Sequence, residues 1–344
     1  MSESDYIEVK QLLNSPKNIV IVPHKNPDGD AIGASLAMYY FLKKKGHSVK
    51  VVTPNDYPNF LKWLPGAGEA DYKFDMQNKQ SKREINNAEI IFILDFNTLN
   101  RVGDDMQNTL EAYEGTYIMI DHHQQPDDFA KYTYSDVSIC STCQMVYHFI
   151  ANLNELELID KTIATCLYTG IMTDTGSFRF RSTTSTTHKI IADLIDKGAD
   201  NAHIHNQVYD TNSYGRLQLL GRALSNLEVI KELKTAYITL TQNELNEFDF
   251  EKGDTEGVVN YALSLKGIVF AAIFIEDTDQ GIIKISFRSK GTFSVNQFAR
   301  EHFNGGGHDN AAGGRTTLTL KETVAKFEAI LPQYKKQLQN SYEV

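Results

Sequence analysis

The chain has 344 residues, 41% hydrophobic and 23% charged, with a net charge of −10 from 34 basic and 44 acidic side chains. The composition is globular, and the length exceeds what one compact core usually covers, so two domains are expected. The acidic balance disfavours long nucleic acid, whose nonspecific binding depends on neutralised phosphates, but leaves room for a small anion at a locally positive or metal-filled site.

No apolar run reaches the roughly 20 residues that span a bilayer. The opening "MSESDYIEVKQLLN" has no apolar signal core. The expectation is a soluble, cytoplasmic protein. In chain order, "KNIVIVPH" (17–24) reads as a buried strand ending in a histidine. "AIGASLAMYYFLKKKGH" (31–47) has helical apolar spacing, and "SVKVVT" follows as a second strand. "AEIIFILD" (88–95) and "TYIMID" (116–121) are two further apolar strands, each ending in an aspartate. Strands alternating with helices predict a parallel sheet, and ligands of such sheets bind at the carboxyl ends of the strands. His24, Asp95 and Asp121 stand at three such ends.

"TCQMVYHFIANL", "KTIATCLYTGIMTDTG" and "TSTTHKIIADLIDKGAD" continue as helices, and residues 201–228 read as a helical connector. The texture changes from about 229. "KTAYITLT", "VVNYALSLKGIVFAAIFIED" and "GIIKISFRSK" give strands and a helix before the glycine-rich "NGGGHDNAAGG". The expected division is 1–200, 201–228 and 229–344, the last a smaller α/β domain. Three cysteines, an odd number, argue against a disulfide framework; Cys140 and Cys143 form a C-x-x-C, read as reduced core thiols with a redox pair as the alternative.

"PHKNPDGDAIGAS" (23–35) puts His24, Asp28 and Asp30 in one strand-to-helix turn. Crowded carboxylates repel unless a cation neutralises them. Helix capping by Asp30 is the plainer reading, but it leaves His24 and Asp28 unexplained. Asp95 alone could be a loop cap, and Asp174 in "GIMTDTGSFRF" a helix cap. Beside "DHH" (121–123) both become candidate ligands. Imidazole with carboxylate suits Mn²⁺, Fe²⁺ or Zn²⁺. On extended chain His122 and His123 should face opposite ways and do different jobs. Two histidines and four aspartates suffice for two bridged metals, the arrangement that serves in-line phosphoryl displacement. Arg101 in "NTLNRVG" and Arg288 in "KISFRSKG" are phosphate forks or solvated surface cations. "FNGGGHDNAAGGR" (303–315) offers His308 and exposed backbone N–H groups, or a plain glycine turn.

Taken together, "HKNPDGDAIGAS", "FILDFN", "DHH", "TDTGSFRF", "FRS" and "GGGHDNAAGG" resemble the DHH/DHHA1 phosphoesterase superfamily, nearest its bacterial nanoRNase and pAp-phosphatase branch. The resemblance implies a parallel-sheet DHH domain joined by a helical connector to a smaller α/β DHHA1 domain. It implies one metal on His24, Asp28 and Asp95, and another on Asp30, Asp95, His122 and Asp174, with Asp95 shared. Asp121 would orient an imidazole, and His123 would face the scissile phosphate. Arg288, His308 and the Gly305, Gly306 and Gly307 backbone would grip a terminal nucleotide in a cleft between the domains. The usual metal of the family is Mn²⁺, with Mg²⁺, Fe²⁺ or Co²⁺ as alternatives, and homodimers occur. Expected substrates are oligoribonucleotides of a few residues, 3′-phosphoadenosine 5′-phosphate (pAp), pApA and cyclic di-AMP, and not long duplex DNA. The competing readings are a nucleotide-binding regulator without turnover and a cysteine redox protein.

Overall fold

The computed structural model describes residues 1–74 and 79–341 and divides into two compact units, Met1–Thr211 and Asn212–Val344. Among the described residues, the first unit holds strands β1 (Asn18–Val22), β2 (Ser48–Thr53), β3 (Asp71–Lys73), β4 (Ile90–Leu94), β5 (Thr116–Asp121) and β6 (Tyr132–Ser135). Its helices are α1 (Glu3–Leu12), α2 (Gly29–Lys44), α3 (Lys79–Asn87), α4 (Asp104–Glu111), α5 (Thr142–Asn152), α6 (Lys161–Asp174), α7 (Ser185–Asp196) and α8 (Asn201–Tyr209).

All neighbouring strands pair in parallel, in the order β3-β2-β1-β4-β5-β6. Both faces of the central strands are buried, which is why these segments read as continuous apolar runs. Ile19, Ile21, Ile90, Phe92, Leu94 and Ile120 pack on one face with α2, α5 and α6. Val20, Val22, Ile91, Ile93 and Met119 pack on the other, with Ile85, Met106 and Leu110. The chain leaves β1 in one direction along the sheet and β4 in the other, so the order reverses between them. Such a switch point opens a crevice at the carboxyl ends of the two strands. His24 lies just past β1 and Asp95 just past β4.

The second unit carries α9 (Tyr214–Ser225), β7 (Glu228–Ile230), β8 (Thr235–Leu240), α10 (Gln242–Glu247), α11 (Val258–Ser264), β9 (Phe270–Asp277) and β10 (Ile282–Ser289). It continues with α12 (Val295–His302), β11 (Gly306–His308), β12 (Ala311–Thr316), α13 (Leu320–Ile330) and α14 (Lys335–Asn340). Its sheet runs β11-β12-β10-β9-β8-β7, with β8 and β9 parallel and the other pairs antiparallel. Phe270, Phe287, Phe298 and Phe327 fill one face and Ala236, Ile238, Ala271 and Ile273 the other. The glycine-rich stretch is a hairpin, β11 to β12. A Cβ on Gly305 would lie 1.9 Å from the carbonyl oxygen of Gly313, so glycine is required for the two backbones to approach.

Candidate metal centre

The turn from β1 into α2 is set by Asp28. Its Oδ1 accepts the N–H groups of Asp30 and Ala31 at 3.0 and 3.1 Å, so Asp28, not Asp30, is the N-cap of α2. The cap uses Oδ1, and Oδ2 turns to His24 Nε2 at 3.9 Å. Asp30 sits in the first helical turn with a side chain that is 1% exposed. Asp95 follows β4 with φ of +67°, a left-handed conformation uncommon for a residue with a side chain.

Asp95 is 2% exposed and stands between two imidazoles. Its Oδ2 lies 3.4 Å from His24 Nε2 and its Oδ1 lies 3.5 Å from His122 Nε2. His122 Nε2 is also 3.5 Å from Asp174 Oδ2 and 3.8 Å from Asp30 Oδ2. Each histidine holds its other nitrogen on a backbone carbonyl: His24 Nδ1 on Lys25 at 2.8 Å and His122 Nδ1 on Ile139 at 3.1 Å. Both therefore present Nε2 toward the acids, the arrangement in which imidazole serves a metal. Within 4.8 Å the ligand atoms form the groups His24–Asp28–Asp95 and Asp30–Asp95–His122, with Asp95 common to both.

The electrostatics fit a site that takes up positive charge. Burial, with Asp95 and Asp174 nearby, drives the Asp30 carboxyl well above the usual range. Burial also pushes Asp174 up to about 7, with the charges of Asp28 and Asp95 adding to it. Burial alone would raise Asp95 as well, but His122 and His24 outweigh it and hold that carboxyl low. The two imidazoles are shifted up despite burial, because Asp95 and its neighbouring acids favour their charged forms. A buried set with this much acid is compensated by cations. These residues can coordinate a divalent metal.

His123 has other partners. Its Nδ1 lies 2.7 Å from Asp121 Oδ1, and its own N–H donates to Asp121 Oδ2 at 2.8 Å. Because β5 ends at Asp121, the strict alternation expected for His122 and His123 does not hold. Both rings stand beside Asp95, with centroids 5.0 Å apart. Arg101 falls in a short helical turn whose carbonyl accepts the N–H of Lys25, and its charge opposes protonation of His24.

Over residues 18–171 the sequence matches the DHH family, N-terminal domain, and over 232–339 the DHHA1 domain. A Thermus thermophilus protein described as a bifunctional oligoribonuclease and PAP phosphatase NrnA is 31% identical over 96% of this chain and 93% of its own length. The chain belongs to the DHH/DHHA1 phosphoesterase family. The crystal structure of an exopolyphosphatase-related protein from Bacteroides fragilis is 42% identical and matches with a TM-score of 0.93 over 98% of each chain. The cyclic-di-AMP phosphodiesterase GdpP of Bacillus subtilis is 26% identical over 95% of this chain and 49% of its own length.

In the DHHA1 portion, Arg288 lies on β10 and its Nη1 donates to the Phe287 carbonyl at 2.9 Å. His308 ends β11. The Gly305 N–H donates to Ala299 and the Gly307 N–H to Asn296 Oδ1. These two backbone donors are engaged within the fold. Several residues of this DHH/DHHA1 chain were not singled out by sequence. Buried Asn97 donates to the carbonyls of His123 and Gln124 at 2.9 and 3.1 Å and braces the loop after β5. Buried Asn296 accepts from both Gly307 and Arg300 Nε. Thr142 donates to Asp95. Cys140, Cys143 and Cys166 are free buried thiols. Burial pushes Cys140 up to about 11 and the other two upward as well, which removes the thiolate a redox pair would need. Among the described residues no helix is long and apolar enough to cross a membrane.

Proposed function

We propose that this protein is a phosphoesterase with a pair of divalent cations, Mn²⁺ by preference, that hydrolyses oligoribonucleotides of a few residues and removes phosphate from pAp. The observation that carries the reading is the sharing of Asp95 between two ligand groups, one with His24 and Asp28, the other with Asp30 and His122. Asp174, 3.5 Å from His122, completes the second group. Such a pair supplies an activated water and a clamp on the oxygens of an in-line displacement.

The chain's own side chains do the rest. Asp121 accepts from Nδ1 of His123 and fixes the ring, so Nε2 is the nitrogen that exchanges a proton with the leaving oxygen. Asn97 anchors the His123 carbonyl and keeps that ring from swinging with its loop. In the second unit Arg288 and His308 supply a cationic fork and a ring for the terminal nucleotide. Arg101 supplies a further cation to the substrate phosphate.

The likeness to a cyclic-di-AMP phosphodiesterase favours a second reading within the same chemistry, turnover of cyclic di-AMP or its linear product. The test is initial rates on pAp, pApA, a five-residue RNA, cyclic di-AMP and polyphosphate at equal concentrations with Mn²⁺. The proposal expects pAp and the short RNAs to lead. Preference for polyphosphate, or tight binding of nucleotides without turnover, would replace it.

A further inference from the structure

We infer that Thr142 is a positioning residue of the metal centre, and that the start of α5 sets the orientation of two carboxylates at once. The inference rests on the metal-centre reading above. Thr142 is fully buried, and its hydroxyl donates to Asp95 Oδ1 at 2.9 Å. The backbone of the same turn holds Asp30. The Thr142 N–H donates to Asp30 Oδ2 at 2.6 Å and the Cys143 N–H to Asp30 Oδ1 at 2.8 Å.

Helix capping does not account for the hydroxyl. Ser141 is the N-cap of α5 and its Oγ accepts the Gln144 N–H at 3.1 Å, so the cap is already made one residue earlier. The Thr142 hydroxyl instead crosses to a carboxylate 47 residues away in sequence. A β-branched side chain is stiff at χ1, which makes threonine a firmer anchor than a longer donor. With Oδ1 tied to Thr142, the Asp95 carboxylate keeps one oxygen toward His122 and the other toward His24. That is the orientation a shared ligand needs, and partners behind metal ligands commonly fix it in this way.

The substitution that isolates the hydroxyl is T142V. It keeps shape and β-branching and leaves the backbone N–H that holds Asp30 in place, whereas T142S keeps the hydroxyl. Chelator-stripped wild type, T142V and T142S are titrated with Mn²⁺ by calorimetry, and kcat and KM are measured on a short RNA. T142V should bind Mn²⁺ about 10–100-fold more weakly, with a fall in kcat rather than a rise in KM, and T142S should recover most of both. Wild-type affinity in T142V overturns the assignment, and so does a T142S as weak as T142V, since packing rather than the hydroxyl would then be responsible. If wild type itself takes up no Mn²⁺, the metal-centre reading falls and Thr142 with it. If wild type binds and T142V is unchanged, only Thr142 falls.

Discussion

At the scale of residues, histidines adjacent in sequence are separated by what holds their Nδ1 atoms. His122 rests on a backbone carbonyl and His123 on the Asp121 carboxylate. The difference predicts that H123A lowers kcat by about 10²–10⁴-fold while Mn²⁺ uptake, measured by equilibrium dialysis, stays at the wild-type level. Protonation gives a second prediction. Asp30 and Asp174 are shifted up, and His24 and His122 are shifted up as well, so the metal-free site retains protons that ligands must shed. Mn²⁺ affinity should therefore rise with pH through the neighbourhood of 7, with proton release detectable as a dependence of the calorimetric heat on the buffer. The acids and histidines at the strand ends were legible because titratable groups interrupt apolar runs. Thr142 and Asn97 were not, because each bonds a group far away in sequence and leaves no local pattern.

At the scale of elements, the close contact of α2, α5 and α6 depends on two glycines. A Cβ on Gly33 would meet the Cys166 carbonyl at 2.6 Å, and one on Gly170 would meet Cys143 Sγ at 2.2 Å and Asp30 Oδ1 at 2.9 Å. Both G33A and G170A should destabilise by about 1–3 kcal/mol through overpacking, read from denaturant midpoints. Only G170A, which presses on Asp30, should also weaken Mn²⁺ binding. The strands β1, β2, β4 and β5 were readable as apolar runs, and the helices α2, α5 and α6 by their helical apolar spacing. The edge strands β3 and β6, with three and four residues, were too short to carry a period. The β11–β12 hairpin was hidden because glycine has little strand propensity; its glycines serve backbone approach instead.

At the scale of the whole molecule, each unit buries its own apolar clusters, which implies two folding units. Tyr209 and Tyr214 bracket the joint between them and are 42% and 79% exposed. Brief chymotrypsin treatment should cut there first and leave two resistant fragments. Metal-free stability should also fall as pH rises from about 5 to 8. Groups whose folded-state pKa is raised stabilise while protonated and lose that contribution as they deprotonate, and Asp30, Asp174, His24 and His122 all belong to that class. Asp95, held low, opposes this only in acid. Saturating Mn²⁺ should reverse the trend by binding the folded form alone, visible as a rise in Tm that grows with pH.

The most direct measurement is the number of Mn²⁺ ions bound per chain by chelator-stripped wild type and by D95N, counted by equilibrium dialysis. The account predicts about two for the wild type and fewer than about one for D95N, because the substituted carboxylate serves both ligand groups. A wild-type chain that binds none, or a D95N variant that keeps the wild-type count, contradicts it.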